Sequence, residues 1–297
     1  MFNPRANTRC IMKACHSLNI PYSICDEVGN WVCVRLNGKE HHFSMGRTSF
    51  NSESIHKVAR DKEYCYRWIK DYLHSPKTAS YVDPNGGDSC EGYFKLKDHN
   101  EIAKDIETKF LYPFILKRNS GAEGSNVFLI KNRQTLLKGL KSIYNKRSKD
   151  YDTVALAQEF IKIKKEYRVI WFRGQVMMMY EKEINADNKV HLSPFKNIES
   201  KARLIEKDSE EYLKIKDFLK EGKYRLNSFE FAGVDVAIDA RGRFWIIEIN
   251  TMPGFNYLTR DNGDEALVKM YKRIFKRVMK REAAIYSKGS LVMKKGF

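Results

Sequence analysis

The feature that most constrains this chain is a pair of apolar strands that carry acidic residues. Residues 231–255 read FAGVDVAIDARGRFWIIEINTMPGF, and the turn residues at 239–242 predict two antiparallel strands joined as a hairpin. The hairpin brings Asp235 near Glu248 and Asn250, and the last two share one face because strand side chains alternate. A buried carboxylate is costly unless it is paired or bound to a metal. The pattern therefore predicts a Mg²⁺ site, since this ion prefers oxygen donors, with a buried salt bridge to a lysine as the alternative.

A second element is a lysine followed by a glycine-containing loop. Lys117 ends the apolar strand of YPFILK, and the loop SGAEGSNV begins three residues later. A lysine in that place can neutralise phosphate, and backbone N–H groups of the loop can bind phosphate oxygens. Neither a Walker loop nor a G-x-G-x-x-G fingerprint occurs. Taken alone, the element is equally well explained by a hairpin loop with a solvated lysine.

The third element is the segment AQEFIKIKKEYRV, residues 157–169. Residues 158–161 could offer backbone donors and acceptors to an adenine edge, and Glu166 could bind ribose hydroxyls. Arg168 would point to the same side of the strand as Glu166. Without its context, the segment is better explained by an edge strand with alternating charge.

Composition excludes several classes of protein. With 297 residues and 42% apolar residues, the chain is long and apolar enough to bury a core, which argues against a disordered protein. No run approaches the roughly 18 apolar residues that a membrane helix needs, and the first twenty residues lack a secretory pattern, so we expect a cytoplasmic protein. The formal net charge of +17 admits nucleic acid as a partner, but the excess lysine is spread along the chain.

The six cysteines all lie in the first third of the chain, and no C-x-x-C spacing occurs among them. Their spacings match no common zinc site. His41 and His42 lie in an alternating run, where a strand directs them to opposite faces. We therefore expect ordinary buried thiols and surface imidazoles here rather than a metal site.

The order of predicted elements is mixed α+β, with mostly antiparallel pairing in the larger part. Short turns are predicted at Asn37-Gly38 and at Arg173-Gly174. The predicted helices cover residues 10–20, 52–73, 133–147, 207–222 and the C-terminal segment. The predicted strands include residues 22–44, 112–130, 154–163, 166–184 and 231–255.

In this order, the motifs resemble those of the ATP-grasp superfamily from residue 59 to residue 255. EINTMPGF is similar to the E-x-N-T-x-P-G motif of the D-alanine–D-alanine ligases, and EGSNV resembles their E-G-S-S-V phosphate loop. QEFI followed by an arginine-containing strand is similar to the glutamate ligases that modify the tail of a ribosomal protein. The resemblance implies an α+β ATP-grasp fold, in which two α/β subdomains grip ATP behind a short N-terminal α/β lobe. The implied boundaries are 1–60 for the lobe, 61–160 for the nucleotide-binding subdomain, 161–285 for the catalytic subdomain and 286–297 for a basic tail.

The resemblance also implies roles for individual residues. The residues that would bind ATP are Lys62, Lys117, Ser125, Asn126, Gln158, Glu159, Phe160, Ile161 and Glu166. Those that would hold two Mg²⁺ ions, with Mn²⁺ as an alternative ion, are Asp235, Glu248 and Asn250. Those that would act on the reacting groups are Arg168, Lys196 and the backbone of Gly254. Those that would contact substrate are Arg203, Tyr257, Thr259 and Arg260.

The implied activity is an ATP-dependent carboxylate–amine ligase that forms an amide through an acylphosphate. Its partners would be small-molecule or peptide carboxylates and amines, with no membrane and no nucleic acid expected, and with a homodimer left open. Two alternatives remain: a ligase that adds amino acids to an acidic protein tail, and a non-catalytic basic protein that binds nucleic acid. One departure argues against D-alanine ligation, because Gly233 occupies the place where the D-alanine ligases carry an arginine.

Overall fold

The N-terminal part of the computed structural model is a helix packed on a small antiparallel sheet. The structure describes residues 4–86, 96–121, 126–183 and 201–293, with side chains up to residue 280. The elements of the N-terminal part are helix α1 (Ala6–Ser17) and strands β1 (Tyr22–Ile24), β2 (Trp31–Leu36), β3 (Lys39–Ser44) and β4 (Arg47–Thr48), and the four strands follow one another in the sheet. Positive φ angles of 48° at Asn37 and 82° at Gly38 confirm the predicted tight turn between β2 and β3. His41 is buried and His42 is exposed, which confirms that they lie on opposite faces.

Two short helices follow where a single helical stretch is predicted over residues 52–73. They are α2 (Glu53–Arg60) and α3 (Lys62–Ile69). Asp61 separates them because its backbone is extended, with ψ at 104°, and its carboxylate accepts a hydrogen bond from the Tyr64 N–H at the start of α3. The predicted single helix is therefore wrong, and the break places Lys62 at the N-terminus of a new helix.

A second antiparallel sheet carries the lysine and glycine loop. It consists of strands β5 (Thr78–Val82), β6 (Phe114–Arg118), β7 (Val127–Ile130) and β8 (Val154–Glu159), in the order β5-β8-β6-β7. Helices α4 (His99–Lys109) and α5 (Arg133–Ile143) cover it, with Ile106, Leu116 and Leu140 in its core. Strand β8 ends at Glu159, earlier than the predicted 154–163, so residues 160–162 form the connection to the next sheet.

The third sheet has five antiparallel strands and contains the acidic hairpin. Its elements are β9 (Ile163–Phe172), β10 (Gln175–Glu183), β11 (Lys201–Leu204), β12 (Phe231–Asp239) and β13 (Phe244–Asn250), in the order β11-β10-β9-β12-β13. Helices α6 (Glu210–Glu221) and α7 (Lys223–Leu226) lie between β11 and β12, and α8 (Asn256–Asn262) and α9 (Glu265–Met293) follow β13. Every strand pair in the described sheets is antiparallel, in agreement with the prediction for the larger part of the chain.

The third sheet contains three register shifts, one of which lies at Ile238–Asp239 at the end of the β9–β12 pair, and the other two set the register of its charged residues. One lies in β10 between Val176 and Met178, and the other lies between the pairs Asp235–Glu248 and Val236–Ile246. A bulge adds a residue to one strand and reverses which face the following side chains point to. Both bulges lie between the hairpin turn and the charged residues, so they decide which of those residues share a face.

Buried apolar residues form three clusters, and two of them lie on opposite faces of the third sheet. The first joins α1, the N-terminal sheet, α8 and α9 to residues such as Phe172 and Phe231. The second joins α2, α3 and α6 to residues such as Val169 and Val234. No helix in the described ranges has the length and apolar character needed to cross a membrane.

Candidate active site

A cleft lies between the second sheet and the edge strand β13. Helix α3 forms one wall of the cleft, and strands β6 and β8 form another. The polar side chains that line it include those of Lys62, Lys117, Gln158 and Glu248. Three separate segments named by the sequence motifs thus converge on one opening.

Lys62 is held at this opening by the break between α2 and α3. Its Nζ donates to the carbonyl oxygen of Gly121 at 2.6 Å and lies 3.4 Å from Oε1 of Glu248. The residues after Gly121 up to 125 lie outside the described residues, and they include Ser125 of the predicted phosphate loop. Lys62 therefore links the start of that loop to the acidic end of β13.

Lys117 lies deeper, with only 8% of its surface exposed. Its Nζ donates to Oε1 of Gln158 at 2.8 Å, and Nε2 of Gln158 in turn donates to Oγ1 of Thr78 at 2.9 Å. Burial, together with the nearby charge of Lys62, lowers the pKa of Lys117 to about 8, although the charge of Glu248 opposes the shift. The Lys117 ammonium lacks a neighbouring salt bridge to a carboxylate among the described residues, so an anion in the cleft would stabilise its charge.

A second group of charges lies on one face of the third sheet. Nζ of Lys182 lies 2.8 Å from Oδ2 of Asp235 and 2.5 Å from Oε1 of Glu166. Arg168 donates through Nε to Oδ1 of Asp235 and through Nη2 to Oδ2 at 2.9 Å. All four residues are at most 9% exposed. Two acids and two bases thus balance one another in the interior of the molecule.

The pKa values in this group follow from burial and pairing. Burial alone would raise the pKa of Asp235, but the charges of Arg168 and Lys182 outweigh it and hold the pKa below its usual value. Burial raises the pKa of Glu166, although its partner Lys182 opposes the shift. Asp235 is therefore the firmly ionised acid of the group.

The three predicted metal donors share one region of the sheet. Asp235 lies directly opposite Glu248 in the hairpin, and Asn250 lies opposite Gly233, so all three point to the same face. The Glu248 side chain is 34% exposed, whereas both carboxylate oxygens of Asp235 are already bound by Arg168 and Lys182. The oxygen atoms of these three side chains suit a divalent ion. Asp235 could bind the ion if the positive charge of the ion replaced that of Lys182 beside its carboxylate. The alternative prediction, a buried salt bridge between this acidic strand and a lysine, is confirmed by the contact of Asp235 with Lys182.

Two of the predicted roles do not agree with these positions. Glu166 is predicted to bind ribose, but its carboxylate is buried against Lys182 and does not line the cleft. Arg168 is predicted to bind a substrate carboxylate or the reacting group, but it grips the carboxylate of Asp235 instead. The prediction that Glu166 and Arg168 point to the same side of β9 is correct, and that side faces the interior.

Gly233 provides the space in which Arg168 lies. A Cβ atom at Gly233 would lie 2.8 Å from Cδ of Arg168 and 3.0 Å from Cβ of Pro253. The arginine of β9 therefore passes over the backbone of β12 at the position where the D-alanine ligases carry an arginine on that strand.

Arg203 is a third residue whose contacts differ from its predicted role. It pairs with Glu181 at Nη2 and with Glu183 at 2.8 Å through Nε. Glu181 and Glu183 alternate with Lys182 along β10, so Arg203 lies on the opposite face of the sheet from Asp235. It belongs to an ion-pair network on that face and is not among the cleft-lining residues, so its predicted contact with substrate stays a prediction.

The residues of α8 lie away from the cleft-lining side chains. Oγ1 of Thr259 donates to the carbonyl oxygens of Phe255 and Asn256 within the helix. Arg260 pairs with Asp261, and its guanidinium carbon lies 5.0 Å from the centre of the Tyr257 ring. In the described part of the chain, the structure does not bring these three predicted substrate residues into the cleft.

The remaining predicted residues divide into four groups. The Asn126 side chain turns away from the cleft, since it donates to the carbonyl oxygen of Asp150 at 3.1 Å. Glu159, Phe160 and Ile161 form the end of β8 and the connection to β9, with Oε2 of Glu159 accepting from the Lys77 N–H. A Cβ atom at Gly254 would meet open space, as expected for a backbone that faces a ligand. Lys196 lies outside the described residues.

The sequence motifs missed Lys182. A simple hairpin about Arg173-Gly174 would pair Glu166 with Glu181 and direct Lys182 to the opposite face. The bulge near Met178 shifts the register so that Tyr180 lies opposite Arg168 and Lys182 lies beside Glu166. The only signal in the sequence is a lysine within the otherwise apolar run VMMMYEKEI.

Comparisons with known proteins agree with this arrangement. The family described as the D-Ala–D-Ala ligase C-terminus matches residues 92–260, which is more than half of the chain. A D-alanine–D-alanine ligase from Buchnera aphidicola subsp. Schizaphis graminum is 24% identical over 173 residues, covering 56% of this chain and 54% of the relative. The chain thus spans about half the length of this curated relative.

Solved structures show the same fold. The D-Ala:D-Ser ligase VanG from Enterococcus faecalis superposes with a TM-score of 0.53 at 15% identity, covering 75% of this chain and 62% of that one. A bifunctional glutathione synthetase from Pasteurella multocida gives a TM-score of 0.53 at 12% identity, covering 92% of this chain and 44% of that one. The mixed α/β arrangement with antiparallel sheets, predicted as an ATP-grasp fold, is confirmed. The chain therefore belongs to the family of the D-Ala–D-Ala ligase C-terminus and has the ATP-grasp fold.

Proposed function

We propose that this protein is an ATP-dependent ligase that joins a carboxylate to an amine through an acylphosphate. The observation that carries the proposal is the convergence of Lys62, Lys117 and Glu248 at one cleft between two sheets. Two lysines and an acidic edge suit a triphosphate and its counter-ion better than they suit an uncharged ligand. The substrates that we propose are an amino acid or a peptide for the carboxylate and another for the amine.

Amide formation in water requires an activated carboxylate. In the proposed reaction, a carboxylate oxygen of the substrate attacks the γ-phosphorus of ATP, and the bond to the β-phosphate oxygen breaks to release ADP. The amine nitrogen then attacks the acyl carbon, phosphate leaves with the C–O bonding electrons, and the amine loses a proton. The protein's part in both steps is to position the groups and to offset negative charge.

Lys117 and Lys62 would bind the phosphate oxygens. Lys117 is oriented by Gln158 and Thr78, so its ammonium is fixed before the nucleotide arrives. Lys62 is bound to the carbonyl oxygen of Gly121 and lies beside Glu248, so its ammonium is also held at the cleft. Preorganised charges of this kind cost little reorganisation when the reaction occurs.

Glu248 and Asn250 would hold Mg²⁺, with Asp235 as a third donor. A Mg²⁺ ion bound there would neutralise the charge that builds up on the transferred phosphoryl group. Arg168 fixes the Asp235 carboxylate by a bidentate contact, so we propose that it positions this donor rather than binding substrate. The open backbone at Gly254 would face the acyl group.

The test is substrate-dependent ADP release from Mg-ATP in the presence of pools of D-amino acids, L-amino acids and short peptides, with the product identified by mass spectrometry. Glu248→Gln and Asp235→Asn should each lower kcat by at least about 100-fold, because each removes a carboxylate donor of the Mg²⁺ ion that would offset the developing negative charge. Glu183→Gln is the matched control, since Glu183 lies on the same sheet but faces the other way.

Circular dichroism would establish that the variants remain folded. If Asp235→Asn unfolds, Glu248→Gln alone tests the metal assignment, because Glu248 is partly exposed and Asp235 is buried. The ligase proposal fails if no pool stimulates ADP release and the protein instead binds RNA in a salt-sensitive manner. Full activity in folded Glu248→Gln would refute the metal assignment alone.

A further inference from the structure

The solvent-facing side of the N-terminal sheet carries a cluster of sulfur, nitrogen and oxygen donors. The thiol of Cys33, a carboxylate oxygen of Glu40 and a ring nitrogen of His42 all lie within 4.8 Å of one another. Cys33 is half-buried, and the other two are exposed. This cluster lies on the N-terminal sheet, whereas the proposed magnesium donors lie on β12 and β13.

The cluster is produced by the pairing of β2 with β3. The two-residue turn at Asn37-Gly38 places Cys33 directly opposite His42 and Arg35 opposite Glu40. Residues that face each other across antiparallel strands have Cβ atoms about 4.5–5.5 Å apart. Donors nine residues apart along the chain thereby become neighbours, which a search for close zinc spacings does not detect.

A second thiol adjoins the cluster. Cys25 follows β1, and its N–H donates to the carbonyl oxygen of Trp31 at 2.9 Å, which continues the pairing of β1 with β2. Cys25 therefore lies on the same face as Cys33, on the adjacent strand. Burial raises the pKa of the Cys33 thiol, and the nearby charges of Glu40 and Cys25 add to the shift.

Two thiols, an imidazole and a carboxylate are the ligands that zinc selects, whereas magnesium prefers oxygen donors alone. We propose that Cys25, Cys33, Glu40 and His42 form a binding site for Zn²⁺ or a similar thiophilic divalent ion. Binding would release the thiol protons to solvent and form metal–thiolate bonds, with no change of oxidation state. The ion would cross-link β1, β2 and β3 on the face opposite to the buried core.

The fluorescence of Trp31 can report metal binding, because its indole contacts His42. Nε1 of Trp31 donates to Nδ1 of His42 at 3.2 Å. A neutral imidazole has a single nitrogen lone pair, and this hydrogen bond occupies it. A metal ion that binds either ring nitrogen must therefore displace the indole, so binding should change the fluorescence of Trp31. Glu40 can bind the ion without a similar loss, since only its Oε1 accepts from Arg35.

The experiment is a titration of the full chain, with no thiol reductant, by Zn²⁺ using calorimetry and by Co²⁺ using absorbance. All proteins carry Cys90→Ser, because Cys90 lies outside the described residues and could bind metal independently. We expect one ion per chain, a thiolate-to-cobalt absorption band and a change in fluorescence that disappears in Trp31→Phe. Cys33→Ser and His42→Gln should each weaken binding by at least about tenfold, the range seen when supporting groups of metal sites are removed. His16→Gln on α1 is the matched exposed histidine and should leave the affinity unchanged.

Several results would overturn the proposal. Equal Zn²⁺ affinity of the parent and of folded Cys33→Ser would do so, and so would a Co²⁺ spectrum without a thiolate band. If Cys33→Ser does not fold, Glu40→Gln and His42→Gln on exposed positions take its place in the comparison. An unchanged affinity in Cys25→Ser would remove Cys25 from the site, in contradiction to the four-donor assignment.

Discussion

The ammonium group of Lys117 loses its proton at a lower pH than that of an ordinary lysine. Burial and the neighbouring charge of Lys62 bring its pKa to about 8, and Glu248 offsets only part of this shift. Below that pH the group is cationic and attracts phosphate, and above it the neutral amine does not. The affinity of the free protein for ATP should therefore depend on pH near neutrality.

We expect kcat/KM for ATP to fall as the pH rises through about 8, because this ratio reports ionisations of the free enzyme. Lys117→Arg keeps its charge at every accessible pH, so the alkaline fall should disappear even where the absolute rate is lower. Lys131→Arg, at an exposed position after β7, is the control and should retain the parental profile. An unchanged alkaline limb in Lys117→Arg would assign the ionisation to another group.

Helix α9 completes the core of the N-terminal part. Ile274 and Phe275 are fully buried, and Phe275 packs edge-on against Phe43 of β3 with ring centres 6.0 Å apart. Asp264, which directly precedes the helix, binds Arg9 at 2.8 Å and Lys13 at 2.7 Å on α1. The two helices thus share both an apolar contact and an ion-pair network.

Ile274→Ala should lower the free energy of unfolding by about 2–5 kcal/mol, because it removes buried methylene groups and leaves a cavity. The measurement is urea unfolding followed by fluorescence and circular dichroism. Lys276→Ala, on the exposed side of the same helix, should change the stability by less than about 0.5 kcal/mol. A loss of less than 1 kcal/mol in Ile274→Ala would mean that α9 is not tightly packed in solution.

The elements that the sequence predicted best are those with local signals. The turns at Asn37-Gly38 and Arg173-Gly174 have the expected positive φ angles, and the hairpin of Asp235 and Glu248 pairs as predicted. The break at Asp61 could not be predicted from periodicity, because the same residue that ends α2 also caps α3.

The limits of sequence-based prediction are clearest at the bulges of the third sheet. A bulge depends on packing between distant strands, and a shift of one residue exchanges the two faces. The bulge in β10 therefore explains why the sequence motifs do not identify Lys182. Glu166 shows a different limit, since alternation gives the direction of a side chain but not whether that direction leads to solvent or to the interior.

On the scale of the whole molecule, the N-terminal part does not have a core of its own. Its buried residues, such as Val34 and Phe43, belong to the same cluster as Phe172 of the third sheet and Phe275 of α9. The cluster around the second sheet is separate and is formed by residues between Tyr81 and Ala157. The two ends of the described chain are therefore more closely interdependent than the second sheet is with either of them.

Deletion of residues 1–50 should expose the apolar surface around Phe172 and Phe275. We expect the truncated protein to aggregate or to bind a hydrophobic dye, and to lose hydrogen-exchange protection in β9 and β12 before β6 and β8. Deletion of residues 1–3 alone is the control and should have no such effect. A soluble truncated protein with full protection in β9 would show that the third sheet is stable without the N-terminal part.

The contact between α1 and α9 also determines when the protein can finish folding during synthesis. A ribosome makes the chain from its N-terminus at roughly 5–20 residues per second, and domains commonly fold as they emerge. Here Arg9 pairs with Asp264, and Phe43 packs against Phe275, so α1 and the N-terminal sheet cannot be enclosed before these later residues have been made. The apolar surface of α1 and the N-terminal sheet therefore stays exposed on the ribosome until the segment that forms α9 has been made.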